Sequence, residues 1–205
     1  MKIAIIGSGL IGGTLTRLLV KAGYEVALTN SRGPASLKNF VDELGEKVHP
    51  LALEQTLNFG DIIIVSIHWR TLESLPVFKA EGKIVVDTTN PYKDDGTIYN
   101  LGDDISSNKV VKIFPGAKIV KAFNTIWYKH LAENGNNSFP MEDRKVIPVA
   151  SDDINAKQTI SKLIEAIGFG PLDTGTLKQG SKLQEPEGAL YAKDITVKEA
   201  KLFVK

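Results

Sequence analysis

Gly7-Ser8-Gly9-Leu10-Ile11-Gly12 carries glycines at the spacing G-x-G-x-x-G. Such a turn can cradle a pyrophosphate. Gly9 has no Cβ, so phosphates can approach its backbone, and a helix that starts there aims free N–H groups and its positive dipole end at them. Gly7 permits the turn off a strand, and Gly12 lets the helix pack close. About twenty residues further on, a dinucleotide fold that prefers NAD places Asp or Glu against the ribose 2′-OH. Here that position is Asn30, followed by Ser31 and Arg32. A carboxylate would repel a 2′-phosphate. A guanidinium holds one with bidentate, charge-assisted bonds, and Ser31 adds a hydroxyl donor. The ligand read from these residues is NADP.

The motif has force only between a strand and a helix. Lys2-Ile3-Ala4-Ile5-Ile6 supplies the strand, and Leu15, Leu18, Leu19 and Ala22 supply a helical stripe that Gly23 stops. Tyr24 to Thr29 reads as the second strand. Pro34 suits a first helical turn, and Leu37, Phe40, Val41 and Leu44 repeat at i, i+3, i+4, i+7 before Gly45. Val48 to Leu53 is a third strand and Leu53 to Phe59 a short helix. Asp61 to Ile67 and Lys83 to Asp87 are almost unbroken apolar runs, the mark of strands buried on both faces of a parallel sheet. Pro91 to Asp104 is a polar loop, and Ile105 to Phe114 is helical up to Pro115. Lys118 to Ala122 is a sixth strand, Tyr128 to Glu133 a helix, Asn134 to Arg144 a loop and Lys145 to Ala150 a seventh strand. Ser151 or Asp152 caps the next helix, whose stripe is Ile160, Leu163, Ile164 and Ile167.

From Phe169 onward the chain is short and glycine-rich, with an edge strand at Pro171 to Thr174 and a helix from Thr196. Leu172, Leu177, Leu183 and Leu190 are spaced too irregularly for an independent element. Residues 171–205 are therefore expected to pack back on the rest, with a second copy of the chain as a candidate cover. The fold class is α/β, a Rossmann-like doubly wound, mostly parallel sheet with a short C-terminal extension, in one domain over 1–205. Right-handed connections give the strand order 3-2-1-4-5-6 plus extra edge strands.

Composition narrows the function. A net charge of +1 without a basic block gives no electrostatic support for nucleic acid or a membrane surface. Without cysteine there is no disulfide, thiolate catalysis or Cys-bound metal. The N-terminal apolar run breaks at Gly7, so a secretory signal is rejected and a cytoplasmic location expected. No run has the length of a membrane span. His49, His68 and His130 are scattered with no carboxylate at ligand spacing, so no metal site is expected. Asp94-Asp95, Asp103-Asp104 and Asp152-Asp153 suit turns and caps better than catalysis.

No acid–base pair emerges, so no residue is assigned as catalytic. In an α/β sheet the ligand sits at the carboxyl ends of the strands. That places Ser66, Ile67 and His68 after the fourth strand, Asn90 and Pro91 after the fifth, and Ala122, Phe123, Asn124 and Thr125 after the sixth. Asn90 or Asn124 either orients a nicotinamide carboxamide or bonds loop backbone. Trp69 either flanks an acceptor ring or packs.

Several later segments carry a resemblance. Val120-Lys121-Ala122-Phe123-Asn124-Thr125 resembles the K-A-F-N-T segment of the deazaflavin-dependent NADP oxidoreductases of the coenzyme F420 type. Asp87-Thr88-Thr89-Asn90-Pro91-Tyr92 is similar to that family's D-x-x-N-P-Y. Gly168 to Leu177 resembles its G-F-x-P-x-D-x-G-x-L, Leu183 to Tyr191 its closing L-x-x-P-x-x-x-L-Y, and Ser31-Arg32 its NADP-binding S-R. The dinucleotide domain of the STEAP metalloreductases also looks related. The chain departs at His68, where many members have Pro, and at Lys182, where Arg often stands. The resemblance implies hydride transfer between NADPH and a flavin- or deazaflavin-type acceptor. Two other functions compete with it: a non-catalytic NADP-sensing module, and a two-domain dehydrogenase or imine reductase. The latter ranks last, because only about thirty residues follow Gly175, too few for a separate domain.

Overall fold

Residues 1–204 are described in the computed structural model. Six strands, β1 (Lys2–Ile6), β2 (Glu25–Thr29), β3 (Val48–Pro50), β4 (Ile62–Val65), β5 (Ile84–Asp87) and β6 (Lys118–Lys121), pair in parallel. Their order across the sheet is β3-β2-β1-β4-β5-β6, the doubly wound order expected from the sequence. Alternate residues of a strand face opposite sides, and here both sides are covered. Ile3, Ile5, Ile62 and Ile64 pack with α1 (Leu10–Lys21), α5 (Tyr128–Glu133) and α6 (Ile154–Ala166). Ala4, Ile6, Ile63 and Val65 pack with α3 (Leu53–Phe59) and α4 (Asn108–Ile113). A short 3₁₀ turn from Pro34 leads into α2 (Lys38–Leu44), which ends at Gly45, φ 72°.

β7 (Val146–Val149) and β8 (Gly170–Asp173) correct the expected edge strands: they form a parallel pair of their own. β7 touches the large sheet at one antiparallel bridge, where Lys121 and Ala150 exchange backbone bonds of 2.9 and 3.1 Å. The amide N–H groups of Val146 and Ala150 go to Ile195 and Lys121. Pro148 between them has no N–H to give, so a ladder onto β6 stops after one rung.

Two further corrections concern helix starts. The cap of α6 is Asp153, whose Oδ1 accepts the Ala156 N–H at 2.8 Å. Ser151 instead donates to the Ile119 carbonyl, and Asp152 accepts the Leu177 N–H at 3.0 Å. Leu177 opens a helix the sequence reading missed, α7 (Leu177–Gln184), capped by a reciprocal Thr176–Gln179 pair. Its buried face is Leu177, Gly180, Ser181 and Gln184. The spacing is helical, but only one of the four is a large apolar residue, so hydrophobic periodicity could not find it. The last helix, α8 (Val197–Ala200), is capped by Thr196.

Candidate active site

Backbone bonds stitch the carboxyl ends of the strands into one edge. The Gly7 N–H donates to Thr29 and the Ser66 N–H to Ile6, both at 2.8 Å; the Thr88 N–H donates to Val65 and the Ala122 N–H to Asp87, both at 3.2 Å. The glycine turn stands in the middle, where the strand order reverses. Gly7 has φ +107°, and a Cβ there would lie 2.1 Å from the Ser66 carbonyl oxygen. A Cβ on Gly12 would lie 2.0 Å from the Gly7 oxygen, so strand, turn and helix are in backbone contact. Gly9 differs. A Cβ there would meet nothing within 4 Å, and no side chain caps the α1 start that it forms. This is open space over unpaired helix N–H groups, which fits an anionic ligand.

Asn30 builds the neighbouring turn. Its Nδ2 donates to Ser8 Oγ at 2.9 Å, and its Oδ1 accepts the Arg32 N–H at 2.9 Å and the Ser36 hydroxyl at 3.1 Å. Ser31 and Arg32 stand exposed on this turn. Leu10 is exposed and Ile11 half-buried at the helix start.

On the other flank, Ser66 and Ile67 are half-buried and His68 is exposed. Trp69 is a packing residue: Nε1 donates to the Ser106 carbonyl at 2.9 Å, Tyr99 lies 5.0 Å away, and Lys109 sits 3.9 Å over its ring. The two asparagines are brought together. Asn90 Nδ2 donates to the Asn124 carbonyl at 2.8 Å, and Asn124 Nδ2 donates to Asn90 Oδ1 and to the Gln184 carbonyl of α7. Asn124 Oδ1 is buried and has no partner among the described residues. Pro91 and Ala122 are buried beside them. Phe123, just before Asn124, has φ +64°, a backbone state that costs a non-glycine residue about 1–3 kcal/mol.

Lys121 and Asp87 escaped the sequence reading as site residues. Both are fully buried, with Nζ 3.0 Å from Oδ2. Lys121 Nζ also donates to the Thr89 carbonyl and to Ser106 Oγ. Asp87 accepts from Ser107 Oγ and from the amide and hydroxyl of Thr89. Burial pushes the Asp87 carboxyl up, but the Lys121 ammonium, Ser107 and Thr89 together hold it below the usual carboxylate range. A signal existed: a lysine and an aspartate each close an apolar run that should be buried. The C-terminal segment joins here as well. Ser106 donates through N and Oγ to Glu185 Oε1, at 2.8 and 2.7 Å, and Tyr92 donates to the Tyr191 hydroxyl at 3.0 Å. Burial first, then Tyr92, pushes the Tyr191 hydroxyl well above the ordinary tyrosine range. A cavity of ≈ 580 Å³ opens between Pro91, Tyr99 and Leu101 on one side and Lys182, Glu185 and Pro186 on the other. It lies beside the asparagines and not over the glycine turn.

Among the described residues there is no cluster of three metal-ligating side chains, and no helix is long and apolar enough to cross a membrane.

The family model described as NADP oxidoreductase, coenzyme F420-dependent, matches residues 2–91. The chain is 27% identical over 186 residues to metalloreductase STEAP3 of Rattus norvegicus, covering 89% of this chain and 36% of that one. It is likewise 27% identical over 188 residues to metalloreductase STEAP2 of Homo sapiens, covering 90% and 35%. The chain thus spans about a third of the length of the curated relatives it matches. Among solved structures, the hypothetical protein SMa0349 of Sinorhizobium meliloti superposes with a TM-score of 0.87 and 31% identity, over 96% of this chain and 95% of that one. A protein of Arthrobacter sp. FB24, provisionally assigned as an F420-dependent NADP-reductase, gives 0.70 and 24%, over 86% and 85%. An imine reductase of Pseudomonas sp. gives 0.62 and 21%, over 87% and 57%, a likeness of fold alone.

Proposed function

Since residues 2–91 match the model of the coenzyme F420-dependent NADP oxidoreductases, we propose that the chain transfers a hydride between NADPH and a ring acceptor of flavin or deazaflavin type. The observation that carries this reading is the open, uncapped α1 start at Gly9, set against the Asn30-Ser31-Arg32 turn. The N–H groups at Leu10, Ile11 and Gly12 would hold the pyrophosphate, and Ser31 and Arg32 the 2′-phosphate. The unpartnered Asn124 Oδ1 suits the amide donor of a nicotinamide carboxamide.

When bound, the reduced nicotinamide supplies the hydride, and the protein's share is binding, orientation and exclusion of water. The site agrees with that division. Asp87, Lys121, Ser106 and Ser107 bond one another, and Asn124 Oδ1 is left without a partner among the described residues. The ≈ 580 Å³ cavity is within the size range of small-molecule sites and lies next to Pro91, which favours it as the acceptor's place.

The deciding experiment is NADPH oxidation followed by stopped flow, with a free flavin and with a deazaflavin offered in turn. Turnover with either supports the reading. Tight NADPH binding without turnover on any ring acceptor would move the function to an NADP-sensing module.

A further inference from the structure

Four side chains make a continuous polar path through the interior. Asp87 at the end of β5 holds Lys121 at the end of β6, Lys121 donates to Ser106 Oγ, and Ser106 donates to Glu185 Oε1 just past α7. Each link has a direction. Because the Ser106 N–H and hydroxyl both point at Glu185, the Ser106 oxygen turns its lone pairs to the Lys121 ammonium. Lys121 then has three acceptors for its three donors: Asp87, the Thr89 carbonyl and Ser106. A fully paired network of this kind is rigid, because any member that moves strands a buried polar group.

The path brackets the asparagine site. Thr89, whose carbonyl takes Lys121, precedes Asn90. Lys121 lies two residues before the left-handed Phe123 and three before Asn124. Gln184, whose carbonyl takes Asn124 Nδ2, precedes Glu185. The strained Phe123 turn is thus held from both ends, by the ion pair behind it and by α7 in front.

We propose that Lys121, through the Thr89 carbonyl, and Glu185, through Ser106 and Lys121, are positioning residues that hold Asn90 and Asn124 in the shape that receives the nicotinamide end of the cofactor. This rests on the NADP reading above and is independent of which acceptor is used. Neither residue is given contact with the cofactor.

Glu185 is half-buried, so its variants leave no unpaired ion in the interior. Glu185→Gln keeps an oxygen acceptor for both Ser106 donors; Glu185→Ala removes it. The test is calorimetric affinity for NADP and for adenosine 2′,5′-bisphosphate, a fragment without the nicotinamide half, in the intact chain. In the wild type NADP is expected to bind more tightly than the fragment, because the nicotinamide half adds contacts at Asn90 and Asn124; equal affinities would overturn the proposal. Glu185→Ala should bring the NADP affinity down toward that of the fragment, by on the order of tenfold, with fragment affinity unchanged. Glu185→Gln should restore it. Where a ring acceptor turns over, the single-turnover rate should fall with the alanine variant by roughly ten- to a hundredfold, the scale of misplaced reacting groups.

A merely structural role predicts otherwise: a lower melting temperature with both ligands weakened alike, or no change in either. Either result would overturn the proposal, as would a glutamine variant no better than alanine. Lys121→Arg is the second check. It keeps the charge at Asp87 but not the compact three-way geometry of an ammonium, so it should reproduce the selective loss of NADP affinity. A wild type that bound neither ligand would overturn the NADP reading itself, and this proposal with it.

Discussion

The Asn30 side-chain nitrogen lies 2.9 Å from the Ser8 hydroxyl oxygen, so one hydrogen bond ties the turn after β2 to the glycine turn after β1. The position that would hold an acidic residue in an NAD enzyme here does structural work: its other amide atom accepts from Arg32 N–H and from Ser36. The side chains left facing solvent are Ser31 and Arg32.

Arg32→Ala should therefore weaken NADPH by about 1.5–3 kcal/mol, the scale of a hydrogen bond to a charged group, and leave NADH nearly unchanged. Asn30→Asp should cost NADPH affinity too. It removes the donor to Ser8 and sets a carboxylate beside the 2′-phosphate position. Titrations of both nucleotides measure this, and a wild type that binds NADH as tightly as NADPH would sink it.

The pattern of strands and the glycine turn were legible because they rest on backbone rules: buried parallel strands are continuous apolar runs, and a tight turn needs Gly7. α7 was not, because it buries Gly180, Ser181 and Gln184 instead of a leucine stripe. The separation of β7 and β8 from the main sheet turns on Pro148, whose meaning depends on which neighbour its missing N–H would have faced. Asn90 and Asn124 were legible as residues at the strand ends. Their mutual bonds, and the Lys121–Asp87 pair behind them, depend on side chains 34 residues apart meeting at one point. No local pattern encodes that meeting.

The Asp87–Lys121 pair sets an acid limit on stability. Folding holds the Asp87 carboxyl below its ordinary value. A group depressed in this way adds stability above its unfolded pKa, about 3.9 for Asp, and loses it as pH falls through the folded value. Urea melts should show its contribution level from neutrality to about pH 4 and a decline below. The exposed carboxylates of Asp95 and Glu199 are shifted the same way but weigh little, because solvent screens them. Lys121→Met should cost about 3–5 kcal/mol at neutral pH, since it leaves Asp87 buried and unpaired. A loss below about 1 kcal/mol would mean that water reaches the pair.

His68, just past β4 on the edge formed by the strand ends, is an exposed imidazole. A general base contributes roughly 10²–10⁴-fold in rate. If orientation alone carries the reaction, His68→Asn should cost less than the lower end of that range, and the rate with a ring acceptor should stay flat across neutral pH. A thousandfold loss with unchanged NADPH affinity would make His68 a catalytic residue and replace this account.

Gly9 and Gly12 separate cofactor binding from folding. At Gly9 an added methyl meets nothing within 4 Å, and φ is −73°, outside the left-handed region that only glycine favours. Gly9→Ala should therefore cost no more than about 1 kcal/mol, the scale of a changed helix N-cap, while the methyl fills the space meant for the pyrophosphate. NADPH affinity should fall, and affinity for adenosine 2′,5′-bisphosphate, which lacks the pyrophosphate bridge, should fall less. At Gly12 the added methyl would lie 2.0 Å from the Gly7 carbonyl oxygen, a backbone atom that cannot swing aside. Helix α1 must then lift off β1, and Gly12→Ala should lower the melting temperature and the affinity for both ligands together. Thermal melts and calorimetry on the two variants decide between them. If Gly9→Ala proves as destabilising as Gly12→Ala, the open space over α1 is filled by the protein itself. If it binds NADPH as well as the wild type does, the pyrophosphate lies elsewhere.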